Sequence, residues 1–168
     1  MNSKKQIISR NISAHELPND LVNNIIQHIE QAKSRVASYT NSILVTLYWQ
    51  IGFLINQDIL NNKRAEYGEQ VLLQMARKLS TLYGNGFDFP NLSRMVKFAR
   101  LYPNQEIVVT VSQQLSWSHI IRLIVIENEL ERDFYTEICR LERWSVRVLR
   151  QKSIACYMKE RQYQNNQK

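Results

Sequence analysis

The sequence predicts an all-α domain, and three observations carry that expectation. Glycine and proline are scarce, at four and three residues among 168, too few for a strand-and-turn sandwich. Apolar residues recur three and four positions apart along most of the chain. The few glycines, prolines and short polar residues stand between those runs, where helices start and stop. A chain of this length suits one domain burying roughly 70% of its unfolded surface.

Residues 1–17 show no period and are expected to form a flexible N-terminus. Pro18-Asn19-Asp20 offers a cap, after which Leu21, Ile25, Ile29 and Val36 recur at helical spacing. From Ser42 to Leu60 the residues Ile43, Leu47, Ile51, Leu54 and Ile55 make one broad stripe, expected to face inward. Thr40-Asn41 either interrupts these two stretches or is absorbed in one long helix. Asn61-Asn62-Lys63 reads as a loop. Gly68 to Tyr83 predicts a helix with Leu72, Met75, Leu79 and Leu82 inward. Gly84-Asn85-Gly86 stops it, because glycine or asparagine takes the left-handed conformation that closes a helix. Asp88 can cap the next helix, from about Pro90 to Leu101, which must end before Pro103. The run Ile107-Val108-Val109-Thr110-Val111 is β-branched and predicts a short strand or loop over 104–115. Ser116 can cap a helix from Trp117 to Ile126, Glu129 to Arg143 forms another, and Ser145 caps a last one to about Lys159. The folded domain thus spans 18–160, followed by a polar tail at 161–168.

The charge is uneven. Residues 1–60 are net +1, residues 61–100 net +4 and residues 101–168 net +2, within a total of +7. A basic balance suits an acidic partner such as nucleic acid. Cys139 and Cys156 have no CxxC or HExxH context, so they read as reduced, helix-buried thiols, and no metal or cofactor is expected. Met1–Arg10 lacks an apolar run, and no segment approaches 18 uninterrupted apolar residues. The chain therefore reads as cytoplasmic, with no membrane partner.

The chemistry concentrates between residues 69 and 101, where a helix, a glycine turn and a second helix form the unit used by many DNA readers. In the second helix Leu92, Met95, Val96 and Ala99 fall within an arc of about 100°, while Ser93, Lys97 and Arg100 occupy the opposed arc beside Arg94. Such a helix packs by its apolar arc and offers donors to phosphates and base edges from the other. An ordinary amphipathic helix with a solvated basic face has the same pattern. Arg143, Arg147 and Arg150 form a second stripe near Lys152. It could clamp phosphates or pair with Glu142 and the acidic run Glu127, Glu129, Glu131 and Asp133. Trp49, Trp117 and Trp144 sit beside apolar stripes and read as core. His119 suits a capped helix start, and Ser116-Trp117-Ser118-His119 lacks the glycine elbow of a hydrolase nucleophile.

Several words stand in register: Tyr48-Trp49-Gln50-Ile51-Gly52, Arg64-Ala65-Glu66-Tyr67-Gly68, Gly86-Phe87 with Asn91-Leu92 and Arg94-Met95, Leu115-Ser116-Trp117-Ser118-His119, Phe134-Tyr135, and Trp144-Ser145-Val146-Arg147-Val148-Leu149. In this order and spacing, over roughly Leu21 to Lys159, the chain resembles the N-terminal domain of the YhcG-like (DUF1016-type) bacterial proteins. The resemblance implies a following or separate PD-(D/E)xK nuclease domain and a DNA-processing context such as restriction or other genome defence. That nuclease motif uses acidic groups and a lysine to hold a divalent metal. No Glu-x-Lys or Asp-x-Lys occurs in these 168 residues, so this chain is expected to cut nothing itself and to be a truncated or stand-alone version of the domain. The stretch from the glycine turn and Ser93-Arg94 to Trp144–Arg147 is also similar to the helix-turn-helix region of ParB-type partition proteins, which bind DNA. It departs from that family at Trp117 and Ile121.

The expected function is double-stranded DNA binding or targeting for a nuclease, through Ser93, Arg94, Lys97, Arg100, Arg147 and Arg150. The rival expectation is a protein-interaction module. Surplus apolar surface on 42–60 predicts a homodimer, because a helix on a monomer surface needs only one apolar face; the alternative is that helices 117–126 and 129–143 cover the second face within one chain.

Overall fold

The computed structural model describes residues 19–62 and 65–154, with side chains over 19–58 and 68–154. The expectations for residues 1–17, for Lys63 and for the 161–168 tail lie outside these. The chain divides into two units, Met1–Arg35 and Val36–Lys168. The described residues are helical or in turns, and no strand occurs among them. The all-α expectation is correct.

The elements are α1 (Asn19–Asn62), α2 (Ala65–Tyr83), a 3₁₀ turn (Asn85–Phe87), α3 (Phe89–Leu101), α4 (Gln105–Ser112), α5 (Trp117–Leu123) and α6 (Glu129–Leu141), followed by a helical stretch over 146–154. Thr40-Asn41 is absorbed: α1 is one helix of 44 residues that also takes in Asn61 and Asn62. In the first unit, described by itself, Leu21, Ile25, Ile26 and Ile29 are all about half exposed.

In the second unit two apolar clusters form the core. One joins Tyr48 and Ile55 of α1 to Leu72 and Ala76 of α2 and Leu92, Met95 and Val96 of α3. The other gathers Val45 and Trp49, Phe98 and Tyr102, α4 to α6, and Leu149. The α1 face differs from the expected one. Ile55 is buried and Ile51 half-buried, but Ile43, Leu47 and Leu54 point outward. The buried positions Val45, Tyr48, Trp49, Gly52 and Ile55 lie on the opposite side of the helix at 100° per residue. Leu82, expected inward, is 62% exposed.

The segment expected as strand or loop is helix α4. Asn104 caps it by accepting from the Glu106 N–H at 2.8 Å. Val108, Val111 and Leu115 then fall on one face and are fully or nearly buried. Packing of that face and the cap outweigh the modest β preference of the branched run. α5 and α6 end earlier than expected, at Leu123 and Leu141, each closed by turn hydrogen bonds.

Arg143 closes α6 in the left-handed region, at φ 51°. The Glu142 N–H reaches the Ile138 carbonyl, and the Trp144 N–H reaches that of Cys139. A side chain there costs roughly 1–2 kcal/mol relative to glycine, and the Arg143 side chain is exposed, so little packing is at stake. Arg143→Gly should raise stability in urea by about 0.5–1 kcal/mol after the glycine entropy cost. A lower midpoint would mean that the arginine side chain stabilises the turn.

Candidate nucleic-acid interface

The site begins with a turn. The Gly84 N–H donates to the Ser80 carbonyl, and Gly84 takes φ 88° with ψ −171°, a positive-φ conformation open to glycine but extended in ψ rather than the left-handed helical one expected at this turn. Asp88 then starts α3: its carboxylate accepts from the Asn91 N–H at 2.8 Å, with Pro90 in the first turn. α2 and α3 pack on one another across this turn.

The orientation of α3 is set from three sides. The Trp49 indole of α1 donates to the Tyr102 carbonyl at 2.7 Å, just past the end of α3. The Asn56 amide donates to the Val96 carbonyl at 2.9 Å. Between them α1 and α3 touch backbone to backbone: a Cβ on Gly52 would stand 1.9 Å from the Met95 oxygen. At the other end the Trp117 indole of α5 donates to the Asn91 side-chain oxygen at 2.9 Å, while the Asn91 amide donates to the Gly86 carbonyl. Trp49 and Trp117 thus hold α3 in place, and Trp144 packs part-buried against the second cluster.

Leu92, Met95, Val96 and Ala99 are buried as the arc predicts, and Phe98 joins them, so α3 is covered on more than half its girth. What remains outside is a narrow strip in which Arg94, Lys97 and Arg100 are all exposed. Arg94 and Lys97 form no ion pair among the described residues, and Arg100 reaches only the Asn56 side-chain oxygen, at 3.5 Å. Ser93 is half-buried, and its hydroxyl donates to the Phe89 carbonyl at 2.8 Å. It can still accept from a ligand, but its proton is engaged.

Arg147 and Arg150 are also exposed, at the start of the 146–154 stretch. The pairing with acids that the sequence allowed is absent among the described residues. Glu142 accepts from the Trp144 indole at 2.6 Å instead, and Glu137 pairs with Arg140 within α6. Arg147 and Arg150 form a second basic strip, carried by a different helical stretch from α3.

His119 links α5 to the approach of the second strip. Its Nδ1 accepts from the Ser116 N–H at 3.2 Å and lies 2.8 Å from the Ser116 hydroxyl. Its Nε2 sits 2.9 Å from the Trp144 carbonyl and must carry the proton. Burial lowers the imidazole pKa, and the Trp144 hydrogen bond opposes part of that shift. The neutral ring is therefore a structural brace. Sequence reasoning placed His119 at a helix start but missed its bond to Trp144, 25 positions away. The Cys139 thiol is buried and pushed up to about 11, so it is unreactive near neutral pH. No cluster of three His, Cys, Asp or Glu able to hold a metal occurs among the described residues.

An all-α domain that turns a cationic helix outward on a glycine-hinged pair is thus what the geometry defines. The model of the DUF1016 N-terminal domain matches residues 24–161, and the chain belongs to that family. It is also similar to the protein named "Putative nuclease YhcG" from Escherichia coli (strain K12), at 25% identity over 167 residues. The match covers 82% of this chain and 44% of that protein. The chain therefore spans less than half the length of that relative. No solved structure matches. No described helix is long and apolar enough to cross a membrane.

Proposed function

We propose that this chain is a cytoplasmic domain that binds double-stranded DNA and brings it to a nuclease domain, which is either joined to it or supplied by another polypeptide. The α2–turn–α3 pair is read as a helix-turn-helix, with α3 as the helix that meets DNA. The observation that carries this reading is the α3 strip: Arg94 and Lys97 exposed, without a carboxylate partner among the described residues. Arg147 and Arg150 supply further phosphate contacts. Cutting is assigned to the nuclease domain, because the sequence carries no acidic-x-lysine motif. Readers of this kind commonly act as pairs on two half-sites, so two copies are assigned to each DNA site.

The test is a fluorescence-anisotropy titration of the chain with duplex DNA at two salt concentrations. Log affinity should fall linearly with log salt, with a slope of about −0.9 per phosphate contacted. Absence of binding at low salt would reject the reading, as would an affinity indifferent to salt.

A further inference from the structure

Away from the basic strips the surface carries a groove of the opposite sign, about 710 Å³ in volume. Its floor is apolar, formed by Leu101 and Pro103 at the end of α3 and by Ile107 and Val111 of α4. Its rim is acidic: Glu106 comes from α4, and Glu129, Asp133 and Glu137 come from α6. No lysine or arginine lines it among the described residues, in a chain of net charge +7. Helix chemistry accounts for part of the rim. Glu106 and Glu129 stand in first turns, where a carboxylate complements the helix dipole. Glu137 pairs with Arg140 at 2.8 Å. Asp133 has no such use. It is exposed in the second turn of α6 and forms no ion pair among the described residues. Its neighbour Arg132 is buried and donates instead to the Ile126 carbonyl at 3.2 Å.

Two further features set what the groove can hold. The first is the end of α3. The Tyr102 N–H donates to the Phe98 carbonyl, but Pro103, next in the chain, has no N–H with which to cover the Ala99 carbonyl. The negative end of α3 therefore adds to the acidic rim. The second is a neighbouring hollow of about 450 Å³, which shares Pro103 with the groove and runs over Trp49, Phe53 and Leu54 of α1. Phe53 and Leu54 are both exposed. The two hollows make one track with an acidic end and an apolar end.

We propose that this track binds a short segment of a partner polypeptide. Its lysine or arginine residues lie against Asp133, Glu129 and the end of α3, and its apolar side chains lie against Ile107 and, past Pro103, against Phe53 and Leu54. Charge complementarity and shape select this occupant. The carboxylates repel the phosphates of DNA, so this face serves a different ligand from α3. A small polyamine would satisfy the rim but would leave the apolar lobe on α1 unfilled. A segment of several residues reaches both, with apolar anchors in hollows and charges at their edge. The proposal is independent of the DNA reading and gives the domain a second binding face.

The experiment uses the whole chain. Selection of a random-peptide phage library on it should enrich peptides that join lysine or arginine to large apolar residues. One such peptide, synthesised with a dye, should bind in an anisotropy titration. Asp133→Lys with Ile107→Ser should weaken that binding by about tenfold or more, and should keep helicity, since both side chains are exposed. Glu69→Lys, an exposed charge change on α2 outside the track, should leave it unaltered. The proposal is overturned by a selection without a basic–apolar pattern, or by binding that survives the groove substitutions or falls equally with Glu69→Lys. Displacement of the peptide by spermidine at matching concentration overturns it in favour of a small cation. A dimer in light scattering that the groove substitutions dissolve overturns it in favour of a second copy. The DNA reading fails or stands separately: Arg94→Ala with Lys97→Ala should bind the peptide as the wild type does, and the groove variant should bind duplex DNA no more weakly than the wild type.

Discussion

Gly52→Ala should destabilise this domain by about 1–3 kcal/mol or more, although alanine in a helix interior ordinarily gains about 1 kcal/mol over glycine. The two expectations have opposite signs, which makes the experiment decisive. The new Cβ would meet the Met95 carbonyl oxygen at 1.9 Å and the Val96 nitrogen at 2.9 Å. Both are backbone atoms, so no side chain can swing aside to admit the methyl. α1 and α3 would have to move apart, weakening the Trp49–Tyr102 and Asn56–Val96 hydrogen bonds that flank the contact. Urea unfolding followed by circular dichroism measures the change. A variant as stable as the wild type would show that the two helices do not meet at this point. Gly52→Val should be worse than Gly52→Ala, because the second branch adds volume at the same contact.

The second large effect concerns the basic strip. Arg94→Ala with Lys97→Ala should lower duplex affinity by on the order of ten- to a hundredfold, about 1.4–2.8 kcal/mol. The salt dependence should flatten by about 1.8 in log–log slope, the loss of two phosphate contacts. Stability should hardly change, since both side chains are exposed and form no ion pair among the described residues. Anisotropy of a labelled duplex alongside thermal melting separates the two outcomes. Unchanged affinity in a well-folded double variant would remove α3 from the binding surface.

The helix-by-helix plan was largely legible in the sequence, because caps and glycines are local devices. Asp88, read as a cap, holds the Asn91 N–H, and the glycine turn stops α2 where expected; Asn104 and Asn128 cap α4 and α6 in the same way without having been read as caps. α4 was misread because five branched residues in a row speak louder than a period of three and four. Val108, Val111 and Leu115 nevertheless carried that period. The inward face of α1 was misread for a different reason. This helix is apolar on two opposite sides, and counting isoleucines and leucines favours the wrong one. The distinguishing signal was Tyr48-Trp49 with Gly52, where large aromatics and a missing side chain mark a close crossing. Arg143 in a left-handed turn had no local sign, since arginine rarely takes that conformation. In the candidate site, the exposed cations Arg94, Lys97 and Arg100 were readable from the arc alone. The absence of ion pairs to Arg147 and Arg150 among the described residues depends on tertiary positions that spacing does not encode.

The outward helix α3 is not a cassette. Its two ends and its middle are held by Trp117, Trp49 and Asn56, which come from α5 and α1 and are separated from it by up to tens of positions in the chain. Transplanting residues 65–102 into another scaffold would leave Asn91, Tyr102 and Val96 without these partners, and the donor piece would lose its pose. Altering what this surface recognises is therefore a matter of exchanging solvent-facing side chains in place. The same bracing would let such exchanges accumulate without disturbing the frame that displays them.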